Sequence, residues 1–249
     1  MNPTTTLSTS VRPLRKDTLR CLGASAPWID PDDPEGGLAV HGQADGNAAV
    51  RSAETFAAKL WELREAGLGA QDAFLLLQTY SHGHVTHLLR ANYEGDGWTK
   101  RFDEVLLEAV EHLCGEALAP DQLAQVFLRI KEGGLGLSSA ECACEAAFLG
   151  SWGLNLKDAA VCVVASSWEG SRAKCGLVTE AIDRAEASMM QKGPADMAAI
   201  DWVGLMGEPL SKLQGAWSDK LFKQRCTALR GMLGKDDRVD LGSAGGPGS

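Results

Sequence analysis

The residues whose type and spacing could do chemistry are few. His82, His84 and His87 fall within six positions, and on a helix His84 and His87 share a face, as two ligands of a zinc site would. The zinc-protease pattern needs four-residue spacing and a glutamate base between its histidines, and neither is present. No third ligand is nominated elsewhere, so a zinc hydrolase built on these three is the remotest reading. Cys142 and Cys144 are two apart on a predicted helix and point to different sides, with no second pair to complete a four-ligand site. Cys114, Cys162, Cys175 and Cys226 sit in apolar helical patterns, where a free thiol behaves as a small hydrophobe. Asp30 to Gly36 is acidic, but Pro34 stands where a calcium loop wants a ligand, and the closing bidentate Glu is missing. Gly133-Gly134-Leu135-Gly136 lacks the Lys-Ser/Thr ending and the preceding strand of a phosphate loop. It predicts a sharp reversal between helices, just after Arg129 and Lys131. No Gly-x-Ser-x-Gly elbow exists. The expectation is a chain with no catalytic residue, no metal, no cofactor and no small-molecule substrate.

The elements around these residues read as helices. The first 46 residues, basic at Arg12, Arg15, Lys16 and Arg20 and then acidic, predict an unstructured lead-in. From Asn47, a capping residue, apolar positions Val50, Ala53, Phe56, Ala57, Leu60 and Leu63 recur at helical spacing up to Gly67. Ala70 to Tyr80 predicts a second helix, and its unbroken Phe74-Leu75-Leu76-Leu77 predicts burial all round. A short third helix carries His84 to Arg90. Trp98, Phe102, Val105, Leu106, Ala109, Val110 and Leu113 form the clearest stripe, and Pro120 opens a further helix. Ser138 with Glu141 has capping-box spacing for a helix over Ala140 to Leu149. Asn155 to Trp168, Leu177 to Gln191, Ala195 to Met206 and Pro209 to Leu233 complete the set, before a Gly/Ser-rich tail. No strand alternation occurs. The predicted fold is all-α, a multi-helix bundle in two helical subdomains with disordered ends: lead-in 1–46, bundle 47–132, second subdomain 133–233, tail 234–249.

Composition narrows the partners. In 249 residues, 24 are basic and 33 acidic, a formal net charge of −9, which argues against a general polyanion binder. No run of about 18 apolar residues predicts a membrane span, and no secretory leader is predicted. An odd seven cysteines scattered through helices predict reduced thiols and an intracellular protein, nuclear or cytoplasmic.

Phe127-Leu-Arg-Ile-Lys-Glu-Gly-Gly-Leu-Gly-Leu137 resembles the segment after the thumb in reverse transcriptases of non-LTR retrotransposons, where a short apolar run meets a Gly-Gly-Leu-Gly turn. Other strings stand in the family's order. Arg20 to Ala24 resembles the stretch after the palm. Leu75-Leu76-Leu77 through His87-Leu88-Leu89-Arg90 resembles the helix pair ending in Leu-Leu-Arg, and Phe102-Asp103 with Val110 resembles the next thumb helix. Ala146-Ala147-Phe148-Leu149-Gly150-Ser151-Trp152, Lys212-Leu213-Gln214 and the tail from Asp237 to Pro247 resemble later segments. The resemblance covers about Arg20 to Ser249. It implies thumb and linker of an RNA-directed DNA polymerase without its active site: the only Asp-Asp pairs, Asp32-Asp33 and Asp236-Asp237, follow Pro and Lys and lie between no strands, whereas the metal-binding aspartates belong on a palm hairpin.

A thumb grips duplex through phosphates, so the resemblance implies weak backbone contact with an RNA–DNA duplex through Lys100, Arg101, Arg129 and Lys131. Between Leu88 and Leu137, however, five basic residues face nine acidic ones, a local net of −4. The contact therefore requires those four cations to cluster. The competing expectation is an acidic helical scaffold that binds protein partners and no nucleic acid, marked by an exposed apolar patch holding Trp152 or Trp168.

Overall fold

The first long helix begins ten residues ahead of Asn47. In a computed structural model describing residues 20–21, 24–25, 37–93, 97–162, 167–170, 176–195, 197–207 and 213–232, α1 spans Gly37–Glu65. Gly46 explains the difference. The Trp98 indole lies so close that a Cβ at this position would stand 2.3 Å from the ring. Packing against Trp98 thus outweighs the low helix propensity of glycine, and Asn47 is an exposed interior position rather than a cap. Gly67 ends the helix in the left-handed region at φ 104°, as expected of a C-terminal glycine.

Four helices follow: α2 (Ala70–Gly83), α3 (Thr86–Ala91), α4 (Gly97–Cys114) and α5 (Pro120–Val126). The predicted stripe of α4 is real, with Trp98, Phe102, Val105, Leu106, Ala109 and Val110 all buried, largely against α1. The run Phe74 to Leu77 is not buried all round. Leu77 is in the core, but Leu75 and Leu76 are 51% and 44% exposed, because α2 lies on the surface and covers only one face.

A 3-10 turn at Ile130–Glu132 leads through the glycines to α6 (Ala140–Cys162), then α7 (Gly176–Lys192), α8 (Trp202–Gly207) and α9 (Leu213–Met232). Two expected helices, Ala140 to Leu149 and one from Asn155, are a single α6. Gly150 in its middle is a packing position: a Cβ there would sit 2.5 Å from the Gln214 Cβ on α9. The helix expected from Ala195 starts instead at Trp202, where the Asp201 carboxylate accepts the Gly204 N–H at 2.9 Å, a side-chain cap.

Ala146, Ala147, Phe148 and Leu149 are all buried on α6, which packs against α3, α4, α7, α8 and α9. One hydrophobic core therefore runs from Ala49 to Leu221 across both helical groups. The architecture is all-α. Among the described residues, extended pairing is confined to β1 (Arg20–Cys21) and β2 (Ala24–Ser25), a two-residue antiparallel ladder with Arg20 opposite Ser25, inside the stretch expected to lack structure. No helix among the described residues is long and apolar enough to cross a membrane.

Candidate nucleic-acid interface

The reversal at Gly133 to Gly136 places Arg129 and Lys131 on a ridge. Gly133 and Gly136 take φ 83° and 73°, a region open to glycine and strained for other residues. The backbone N–H groups of the turn are engaged within it: Gly134 with the Arg129 carbonyl at 3.1 Å, Leu135 with Gln125 at 3.2 Å, Gly136 with Leu128 at 2.7 Å, and Leu137 with Val126 at 3.2 Å. None of these four points at a ligand, so the segment is a structural turn.

The turn is anchored from α2 and α4. Gln78 Nε2 donates to the Leu135 carbonyl at 3.1 Å, and the Ser138 N–H donates to Ser81 Oγ at 3.2 Å. The cap of α6 is Ser139, not Ser138: its Oγ accepts the Cys142 N–H at 3.1 Å. Asp103, 4% exposed on α4, completes that cap from outside the helix. Its carboxylate accepts the Ala140 N–H at 2.7 Å, the Glu141 N–H at 3.2 Å and the Ser139 hydroxyl at 2.5 Å. Burial pushes its pKa up to about 6, while those hydrogen bonds pull the other way.

The four cations nominated from sequence do not form one cluster. Arg101 is held by Glu54 at 3.3 Å, Glu104 at 3.4 Å and Glu108 at 2.9 Å, so its charge is more than balanced, and the Glu108 hydrogen bond leads in raising its pKa. Lys100 is exposed beside it on α4. Arg129 and Lys131 instead share the walls of a groove with α2 residues. Arg129 is paired with Asp219 and stacks over the Phe222 ring, 4.4 Å from its centroid, a cation–π contact.

That pairing brings in cations that the sequence reading passed over. The Arg129 hydrogen bond leads in holding the Asp219 carboxyl below its usual range, and Lys131 and Lys223 act in the same direction. On the inner side, burial pushes the Cys226 thiol up and Glu132 adds to this, while Arg230, Arg129 and Arg225 oppose it. Arg230 also reaches Glu132 at 3.5 Å. The ridge and α9 thus bring Arg129, Lys131 and Lys223 to Asp219 and Arg230 to Glu132, four cations against two carboxylates, in a chain of net −9, while Arg225 acts on Cys142, where Asp103 and Glu141 oppose it. The signal was present in the string from Asp219 to Arg230, where Lys220, Lys223, Arg225 and Arg230 face one acid. It lay outside the Leu88 to Leu137 window, and only folding sets it against Arg129.

The histidines do not converge. His82 Nδ1 hydrogen-bonds the Gln78 carbonyl at 2.8 Å on the groove wall, and His84 stacks on Tyr80 with ring centroids 4.5 Å apart. Burial lowers the His84 pKa, with His87 adding to the effect. Among the described residues no group of three His, Cys, Asp or Glu side chains could hold a metal ion. Trp168 is buried against Trp202 with centroids 5.2 Å apart, and Trp152 is half-buried beside Phe148, so neither marks an exposed patch. The exposed apolar residues near the site are Leu75, Leu76, Ile130 and Leu135. Asp32-Asp33 and Asp236-Asp237 lie outside the described residues. No protein-family model matches the chain, and no curated protein and no solved structure is significantly similar to it.

Proposed function

We propose that this chain is a thumb-and-linker module derived from a non-LTR-retrotransposon-type reverse transcriptase, inert as a polymerase, which touches nucleic-acid duplex weakly through its sugar–phosphate backbone. The observation that carries the contact is the cationic ridge. Lys131 and Lys223 have no salt bridge among the described residues and both act on Asp219, so they would meet phosphates as point charges on one ridge of an acidic protein. Arg129, tied to Asp219 and Phe222, holds the ridge in shape. Arg101 drops out of the contact because three carboxylates surround it.

The derivation is supported by the way the ordered strings meet. Arg90, from the Leu-Leu-Arg string, donates to Gln214 Oε1 at 3.2 Å, and Gly150, from the Ala-Ala-Phe-Leu string, packs on the same Gln214. Phe148 of that string also packs against Tyr93 with centroids 5.6 Å apart. The Phe-Asp string supplies the Asp103 cap for the helix after the Gly-Gly-Leu-Gly turn. Such a module works inside the cell, where an RNA–DNA hybrid would be found.

The test is a fluorescence-anisotropy titration of the full chain with an RNA–DNA duplex at several salt concentrations. About two phosphate contacts give a slope of log K against log salt near −2 at about −0.9 per contact. Lys131→Ala should flatten that slope by about one. Absence of binding at low salt refutes the contact. A second reading, a protein-interaction module without nucleic-acid function, is favoured by the exposed Leu75, Leu76, Ile130 and Leu135 beside the same ridge.

A further inference from the structure

A groove of about 800 Å³ opens between the C-terminal half of α2 and the 127–138 segment, walled among others by Gln78, His82, Phe127, Ile130, Lys131 and Leu137. Its apolar character continues past those walls. Leu75 lies one turn before Gln78 and Thr79 on the same face of α2 and is 51% exposed. Leu135, 40% exposed, is fixed at the groove edge through the Gln78 bond to its carbonyl. Ile130, on the lip, is 56% exposed. Of the eight large hydrophobic side chains exposed among the described residues, these three and the adjacent Leu76 gather here. Grouped apolar exposure of this kind marks a binding surface more often than scattered leucines do.

We propose that this groove docks an amphipathic, acidic helix of a protein partner, its apolar side chains on Leu75, Ile130 and Phe127 and its carboxylates toward Lys131. The groove's own chemistry argues for this occupant. A duplex edge presents phosphates and sugars and has nothing to cover the exposed Ile130 and Leu75, whereas a helix with apolar residues at i, i+4 and i+7 covers such side chains. Charge selects the place: a chain of net −9 repels an acidic helix generally, and the cations of the ridge make this lip an exception. The inference goes beyond the nucleic-acid reading; both use Lys131, but the apolar wall on α2 serves the helix alone and Lys223 on α9 the duplex alone.

The experiment uses the full chain and two fluorescein-labelled synthetic helices about four turns long. One carries leucines at i, i+4, i+7 and i+11 with glutamates between them, and its twin has lysines for the glutamates. The glutamate helix binds at least about tenfold tighter than the twin, and the gap narrows at high salt. Leu75→Ser with Ile130→Ser, both on the surface, weakens it by about tenfold. Ile130→Ser alone gives a smaller change in the same direction, and Lys223→Ala with Arg225→Ala changes it less than about twofold. Equal binding of the twins overturns the proposal, and so does unchanged binding in the Leu75 and Ile130 variants. Loss of RNA–DNA duplex binding in those variants, equal to their loss of the glutamate helix, also overturns it, because the groove would then be nucleic-acid surface. A failure of the duplex to bind at all leaves the peptide result standing on its own.

Discussion

Replacing Asp103 by Asn tests how the ridge-bearing turn is tied to α6, and the structure gives the outcome a sign that changes with pH. The carboxylate is 4% exposed and takes two backbone N–H groups and the Ser139 hydroxyl, groups left costly if their acceptor is lost, at about 1–3 kcal/mol each. Asn keeps the volume and one acceptor oxygen but turns its amide toward donors. Against this stands the burial of the charge. The folded pKa is about 6, above the ordinary 3.8, so between those values the folded state keeps a proton that the unfolded state has released. The stability from this group is full below about pH 3.8 and is lost as the pH rises through about 6. At 1.36 kcal/mol per unit the loss is about 3 kcal/mol. The neutral amide has no such dependence. Urea unfolding of both proteins, followed by tryptophan fluorescence at intervals from about pH 4.5 to 7.5, should show the wild type more stable at the acid end. Most of that advantage should vanish by neutral pH. The common titrations of the other carboxylates cancel in the difference between the two proteins. A gap that stays constant, or widens with pH, refutes the reasoning.

Three further substitutions probe the packing that holds the site. Glu145, wholly buried on α6, accepts from Lys192 Nζ at 2.7 Å and Ser188 Oγ at 2.8 Å, and its second oxygen has no partner. Lys192→Met should cost about 3–5 kcal/mol by stranding the carboxylate, and adding Glu145→Gln should recover much of it, as a double-mutant cycle by denaturation will show. Gly150→Leu should destabilise by at least about 1–3 kcal/mol in thermal unfolding, since even a Cβ meets the Gln214 backbone at 2.9 Å. Gly136→Ala combines positive φ with a Cβ 2.8 Å from Gln78 Nε2, and about 1–3 kcal/mol is expected in the same assay. It should also weaken duplex binding by loosening the ridge.

Local signals were read well where the chain decides locally. The stripe of α4, the Pro120 start and the left-handed glycines at 67, 133 and 136 are set by residues within one or two turns of each other. The misread positions depend on distant partners. Gly46 and Gly150 look like breaks, yet each is small because Trp98 or Gln214 lies on it. Ser138 and Ser139 are indistinguishable as caps until Asp103 chooses between them. The leucines of α2 resemble a core run, and nothing nearby says that one face remains uncovered. Of the sequence-nominated cations, Arg101 and Arg129 are claimed by Glu54 on α1 and Asp219 on α9, pairings that no spacing rule reaches.

The contact between Arg129 and Asp219 spans 90 residues, and this bears on the order in which the molecule assembles. Helices α1, α2 and α4 can associate through nearby contacts, which form early because short loops close cheaply in entropy. The ridge takes its final shape only after α6 and α7 have been made and α9 has swung back onto the turn. During synthesis Arg129 and Lys131 emerge well before Asp219, so the turn stands without that counter-ion until α9 has been made.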